Sequence, residues 1–241
     1  MRYFVIFDYD GGQYCGWQRQ PNGVTIQSVM EEAFSTILRD EIALTGAGRT
    51  DAGVHARNMV AHFDFDGNFD CGQLTRRLNS LLPKDIAIKE IKHVTEGAHA
   101  RFDAKKRKYE YHILRKKNPF YRDYSCAIYY PLDVKIMNEG AKRLLGRKDF
   151  HSFSKVHTDV NNYYCDIYEA FWKEIDDQMI FTIEANRFLR GMVRAIVGTL
   201  VDLGAGRIKL DDLDRIIESH DRCCAGQSMD AKGLFFVGAK Y

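Results

Sequence analysis

Along this chain the spacing of the hydrophobic residues switches back and forth between the period of a strand and the period of a helix, and that order confines the fold more than any other feature. Arg2 to Tyr9 is rich in aromatic and β-branched residues and runs into the turn-like Asp10-Gly11-Gly12, which predicts a buried strand. From Thr25, a candidate N-cap, Ile26, Val29, Met30, Ala33, Phe34, Ile37 and Leu38 recur at helical spacing. Glu41 to Thr45 and Asn58 to Asp66 predict two more strands. A second helix, Gly72 to Leu82, stops at Pro83, and Ile86, Ile88, Ile91 and Val94 mark another strand. The order β, α, β, β, α, β is that of a ferredoxin-like half.

The remainder repeats the pattern more loosely. Lys108 to Leu114 alternates, with Tyr109, Tyr111 and Ile113 on one side and Lys108, Glu110 and His112 on the other. Val134 to Leu145 reads as a helix, Tyr164 to Asp176 and Gln178 to Ala185 as a hairpin about Asp176-Asp177, and Phe188 to Leu203 as a long helix. Asp211 to Ser219 adds a short helix and Gly233 to Tyr241 a final strand. The simplest architecture for this order is α+β: two ferredoxin-like halves that share a mostly antiparallel central β-sheet, with helices packed on one face. No Pro/Ser-rich linker separates them, so the division is placed at residue 104, giving an N-terminal half, 1–104, and a C-terminal half, 105–241.

Composition narrows the function classes. No run of about 18 apolar residues occurs, and the first strand soon meets Asp8, which implies a cytosolic protein with no membrane partner. The six cysteines form no C-x-x-C pair and have no regular spacing with histidine, so they read as reduced and structural. Adjacent Cys223 and Cys224 lack a matching second pair and are a weak signal for a metal site. Net charge is only +2, yet Arg101, Lys105, Lys106, Arg107, Lys108, Arg115, Lys116 and Lys117 face only Asp103 and Glu110 within one segment. A local basic stripe on a nearly neutral protein suits a polyanion.

The chemistry concentrates in Gly46-Ala47-Gly48-Arg49-Thr50-Asp51-Ala52-Gly53-Val54-His55-Ala56. Two readings stand side by side: a strand-to-strand turn that Asp51 caps while pairing with Arg49, or a loop shaped to present Asp51 as a nucleophile or base. Glycoside hydrolysis usually needs a second carboxylate nearby, and a phosphate loop needs glycines followed by Lys-Ser/Thr; neither is present. Asp51 with His55 lacks a companion ligand for a metal. On the long helix, Arg187, Arg190 and Arg194 fall three and four apart, either as a solvated edge or with one arginine turned inward to a carboxylate. Phe102, Tyr109, Tyr111, Phe120, Tyr121 and Tyr124 lie within or just after the basic stretch, and cations interleaved with aromatics suit RNA.

The stretch Gly46 to Ala56 closely resembles the signature of the bacterial tRNA pseudouridine synthases of the TruA family. The resemblance extends over most of the chain, through Tyr9-Asp10-Gly11 with Tyr14-x-Gly16-Trp17-Gln18, Ala100-Arg101-Phe102 with Arg107-x-Tyr109-x-Tyr111, and Phe188-Leu189-x-x-Met192-Val193-Arg194-x-Ile196-Val197-Gly198. It implies the pseudouridine synthase fold and an isomerase that converts uridine to pseudouridine at positions 38, 39 and 40 of the tRNA anticodon stem-loop. By the same resemblance Asp51 is the attacking carboxylate and Tyr109 stacks on the target base. Arg194 pairs with the aspartate, and Arg49 extrudes the base and takes its place. A homodimer in which one tRNA spans both subunits is implied, with no metal or organic cofactor. Two positions depart from the family pattern: Gly12 stands where threonine is usual, and Asp230 where proline is.

Overall fold

The computed structural model describes residues 1–156 and 160–241. These residues form two compact units, 1–105 with 235–241, and 106–234. Sequence alone divides the chain once, at 104; the difference lies in the last strand, which the first unit claims.

In the first unit the elements are β1 (Arg2–Tyr9), α1 (Ile26–Leu38), β2 (Thr45–Gly46), β3 (His55–Asp64), α2 (Cys71–Leu81) and β4 (Ile86–Val94). This is the expected β, α, β, β, α, β order. Strand β1 runs antiparallel to both β3 and β4, and β10 (Leu234–Lys240) lies parallel to β3, pairing Phe235 with His55 and Phe236 with Ala56. Both helices start where their caps say they should. Thr25 accepts from the Ser28 amide in a reciprocal capping box, and Asp70 accepts from Gln73 N. Phe7, Met30, Phe34, Met59, Phe63 and Leu78 form the core, and burial of each contributes about 1.5–3 kcal/mol.

Two details depart from the sequence reading. Glu41 to Leu44 is not a strand, because α1 side chains take up its amides: Ile42 N donates to Ser35 Oγ and Leu44 N to the buried Glu31 carboxylate, both at 2.9 Å. Strand β3 also starts earlier than expected, at His55, and kinks at Asn58, which is left-handed at φ 51°. There the register against β1 slips, the Asn58 amide donates to Asp8 and its side-chain amide to Val237 O. A bulge of this kind re-aims the strand end that leads into the glycine-rich loop.

The second unit contains β5 (Lys106–Leu114), β6 (Cys126–Ala127), α3 (Val134–Arg143), β7 (Gly146–Asp149), β8 (Tyr164–Ile175), β9 (Gln178–Ala185), α4 (Met192–Gly204) and α5 (Leu210–Ser219). Strands β5, β9, β8 and β7 follow one another, each antiparallel to the next, while the short β6 lies parallel to β5. The β8–β9 hairpin turns at Asp176, whose φ of 51° suits a tight turn. Phe150, Phe153, Phe181 of β9 and Ile196 and Leu200 of α4 are fully buried in this unit. Helix α4 begins four residues later than the sequence suggests, since Gly191 adopts φ 72° just before it. Both units are α+β, as the hydrophobic periods predict.

Candidate active site

The loop between β2 and β3 is mounted on the segment that follows β1. Thr50 is buried, its hydroxyl 2.8 Å from Tyr9 Oη, and its carbonyl accepts from Trp17 N. The Asp51 carbonyl accepts from Val54 N, and Gly53, at φ 77°, donates to Tyr14 O. Tyr14 is itself tied to Asp85 by its hydroxyl at 2.7 Å. The result exposes Arg49, buries Thr50 and leaves Asp51 half-buried.

Glycines across the contact let the two segments meet. Gly16 sits at φ 89°, and a Cβ there would come within 2.5 Å of Thr50 O and 3.1 Å of the Asp51 carbonyl carbon. A Cβ on Gly11 would strike Val54 O, and one on Gly46 would strike the Trp17 ring. Gly48 differs: a Cβ on it would meet nothing within 4 Å. At the end of the loop His55 is buried, with Nδ1 2.9 Å from Asp10 Oδ1 and 3.2 Å from Gly11 N, and its ring stacks on Phe235. The departure at Gly12 is accommodated locally, its amide donating to Asp10 Oδ1.

The second unit carries the other two residues singled out in the sequence. Tyr109 is almost wholly buried on β5 and meets Phe188 edge-on, with ring centroids 5.1 Å apart. Arg194 lies in the first turn of α4 and donates through Nε to Met229 O at 2.5 Å, while Met229 N donates to Arg194 O. Arg187 and Arg190 precede the helix instead of sharing a face with Arg194: Arg187 N is held by Asn186 Oδ1 and Arg190 O by Lys155 N. The left-handed Gly191 separates them from it.

Sequence reasoning did not reach the contact between β5 and the segment that follows Met229. Tyr111, two residues beyond Tyr109 and therefore on the same side of β5, is fully buried and donates from its hydroxyl to Asp230 O at 2.8 Å. The strand period signalled its direction, but nothing in the sequence signalled its partner. Asp230 has φ −56°, close to the angle that proline imposes, so the departure from the family pattern keeps the backbone path.

The basic stripe is more tempered than its sequence suggests. Lys106 pairs with Glu184, Lys108 with Glu169 and Lys116 with Asp177, partners that neighbouring strands and the hairpin bring alongside. Arg107 and Arg115 each donate to a backbone carbonyl, of Asn186 and Ile128. The aromatics divide as well. Tyr109 and Tyr111 belong to the interior, whereas Phe120 is 83% exposed and Phe102 is 74% exposed with the Arg101 guanidinium over its ring.

All six cysteines are free, and burial pushes the Cys165 thiol up to about 12. Cys223 and Cys224 gather about Asp221, the first through its amide and the second through its thiol. Among the described residues no three His, Cys, Asp or Glu side chains are grouped so as to hold a metal ion, and no helix is long and apolar enough to cross a membrane.

Comparison with known proteins places this arrangement in context. The family model described as tRNA pseudouridine synthase matches residues 5–103 and 141–241. The chain is similar to the tRNA pseudouridine synthase A of Bacteroides fragilis, at 50% identity over 100% of this chain and 96% of the relative. It is also similar to the proteins of that name from Parabacteroides distasonis, at 48% over 100% and 96%, and Bacteroides thetaiotaomicron, at 47% over 100% and 90%.

Proposed function

This chain belongs to the tRNA pseudouridine synthase family, and on that footing we propose that it isomerises uridine to pseudouridine at positions 38, 39 and 40 of the tRNA anticodon stem-loop, with Asp51 as the nucleophile. The observation that carries the assignment of Asp51 is its mount. A half-buried carboxylate on a loop fixed through Thr50, Gly53 and Val54 to the Gly11–Trp17 segment is held as a reacting group must be held.

The reaction breaks the bond from C1′ to N1 and makes one from C1′ to C5. The proton on C5 leaves, N1 gains one, and the product is an isomer of the substrate. No oxidant, phosphate donor or metal-bound water is needed for that balance. A uridine stacked in a stem has to be turned out first, at a cost of a few kcal/mol that stacking and phosphate contacts offset. Tyr109 is assigned the stacking role, Arg194 the pairing with the catalytic carboxylate, and Arg49, exposed two residues before Asp51, the extrusion and replacement of the base. The open space at Gly48 gives the substrate backbone room to approach. The exposed Phe102 with Arg101 is suited to stack on RNA outside the target site. We assign the working form as a cytoplasmic homodimer in which one tRNA spans both subunits, with no metal or organic cofactor.

Tritium release from tRNA labelled at uridine C5 tests this. The parent protein is expected to release tritium and Asp51→Ala to release none, with tRNA binding little changed. Release that persists in Asp51→Ala removes the nucleophile assignment; none from the parent on any unmodified tRNA removes the activity.

A further inference from the structure

Residues 226–230 lie along α4 in a contact closer than ordinary packing. A Cβ on Gly198 would fall 1.9 Å from Gln227 O, and one on Gly226 would fall 2.7 Å from Thr199 N. The Gly226 amide donates to the Thr199 hydroxyl, which is fully buried and donates in turn to Ala195 O, both at 2.9 Å. From the outer side Arg222 grips the same segment, donating to Ala225 O and Ser228 Oγ. Its far end is fastened by the Tyr111 hydroxyl on Asp230 O, and Gly233 lets the chain pass the Tyr111 ring, where a Cβ would be 2.8 Å from Cζ.

Between these two fastenings sits Met229, whose carbonyl receives Arg194 Nε and whose amide donates to Arg194 O. A guanidinium is planar, so fixing Nε on a carbonyl sets the plane in which the remaining four N–H groups point. An arginine side chain otherwise has about 2 kcal/mol of rotamer freedom to lose whenever it engages a carboxylate.

We propose that residues 226–230 form a clasp that sets the orientation of Arg194, and that Tyr111 is the positioning residue that closes it, with Thr199 fastening the other end. This rests on the reading that Arg194 serves the catalytic carboxylate. It gives the two tyrosines of β5 separate work: Tyr109 for the base, Tyr111 for the arginine. Burial raises the Tyr111 phenol above its ordinary range, with the Cys126 thiol and Asp230 adding to the effect and Arg194 opposing it.

The test is a double-mutant cycle read by single-turnover tritium release at saturating tRNA, with KM and thermal midpoint measured for each variant. Tyr111→Phe is expected to lower the rate about tenfold, in the range that small misplacements of reacting groups produce, with KM within twofold. In an Arg194→Lys background the same change is expected to cost less than about twofold, because the group being oriented has gone. Thr199→Val should reproduce the loss and Thr199→Ser should restore the rate, and this pair carries the test if Tyr111→Phe does not fold. An unchanged rate in Tyr111→Phe, or a loss of equal size in both backgrounds, overturns the clasp. If Arg194→Lys by itself has the parental rate, it is the role of Arg194 that fails instead.

Discussion

His62 shows how one side chain stabilises the first unit in a pH-dependent way. Burial, with Arg2 and His99 beside it, pushes its imidazole from 6.5 down to about 4, so it stays neutral and its Nδ1 accepts from Ala100 N. The unfolded chain takes up a proton from about pH 6.5 downward while the folded chain resists it. The stability contributed is therefore complete above pH 6.5 and is lost as pH falls toward 4, about 3 kcal/mol over the whole window. Urea midpoints for the parent should fall between pH 7 and 4.5 by more than those of His62→Gln; parallel falls would show that His62 contributes nothing. The same scale separates two tyrosines. Tyr109→Leu should cut tritium release by about five- to 150-fold, as loss of a stacking partner worth about 1–3 kcal/mol implies, whereas Tyr121→Leu, on the exposed loop, should leave it within about twofold. Equal losses would remove the stacking assignment. Asp51 and Tyr109 are singled out in the sequence by motif resemblance, and strand period adds only the face of β5 that Tyr109 takes. The neutral His62 could not be singled out there, since its state depends on neighbours from Arg2 and His99, far apart along the chain.

Among the elements, the loop from Ala47 to Val54 carries Asp51 and helix α4 carries Arg194 in its first turn. The two classes of glycine around the loop make opposite demands. Gly16→Ala should lower the thermal midpoint by several degrees and the rate by more than tenfold, since it strains a left-handed residue and its Cβ, only 2.5 Å from Thr50 O, must push that carbonyl away. Gly48→Ala should leave the midpoint within a degree and raise KM for tRNA, because its side chain would meet only an incoming molecule. Parental KM in Gly48→Ala would count against substrate approach there. Element existence followed from hydrophobic period, but ends and one strand did not. Glu41 to Leu44 has strand-like residues whose amides are taken by Ser35 and Glu31, and α4 loses its expected first turn to Gly191. Local periodicity does not register a competing side-chain acceptor, and a left-handed glycine looks in sequence like any other glycine within a helical pattern.

Across the whole molecule, the C-terminal strand is where a reading along the chain parts from the folded arrangement. Phe235 and Phe236 pair beside His55 and Ala56, Arg57 lies over Phe235, and the Tyr241 hydroxyl donates to Ala100 O. Burial of the two phenylalanines contributes about 3–6 kcal/mol at 1.5–3 each, so a chain ending at Leu234 should lose hydrogen-exchange protection throughout 55–64 while 164–185 keeps its own. Unchanged protection in 55–64 would show that the first unit stands without β10. Taken alone, the sequence determined the α+β class, the order of elements, the loop that carries Asp51 and the family the chain resembles, because period, turn residues and motif spacing are local properties. Only the tertiary structure decided that Phe235–Tyr241 returns to the first unit, that acidic partners offset part of the basic stripe, and that Arg194 meets Met229 while Tyr111 meets Asp230. Each of these joins residues tens to hundreds of positions apart, and such pairings are fixed by packing and hydrogen-bond satisfaction in three dimensions.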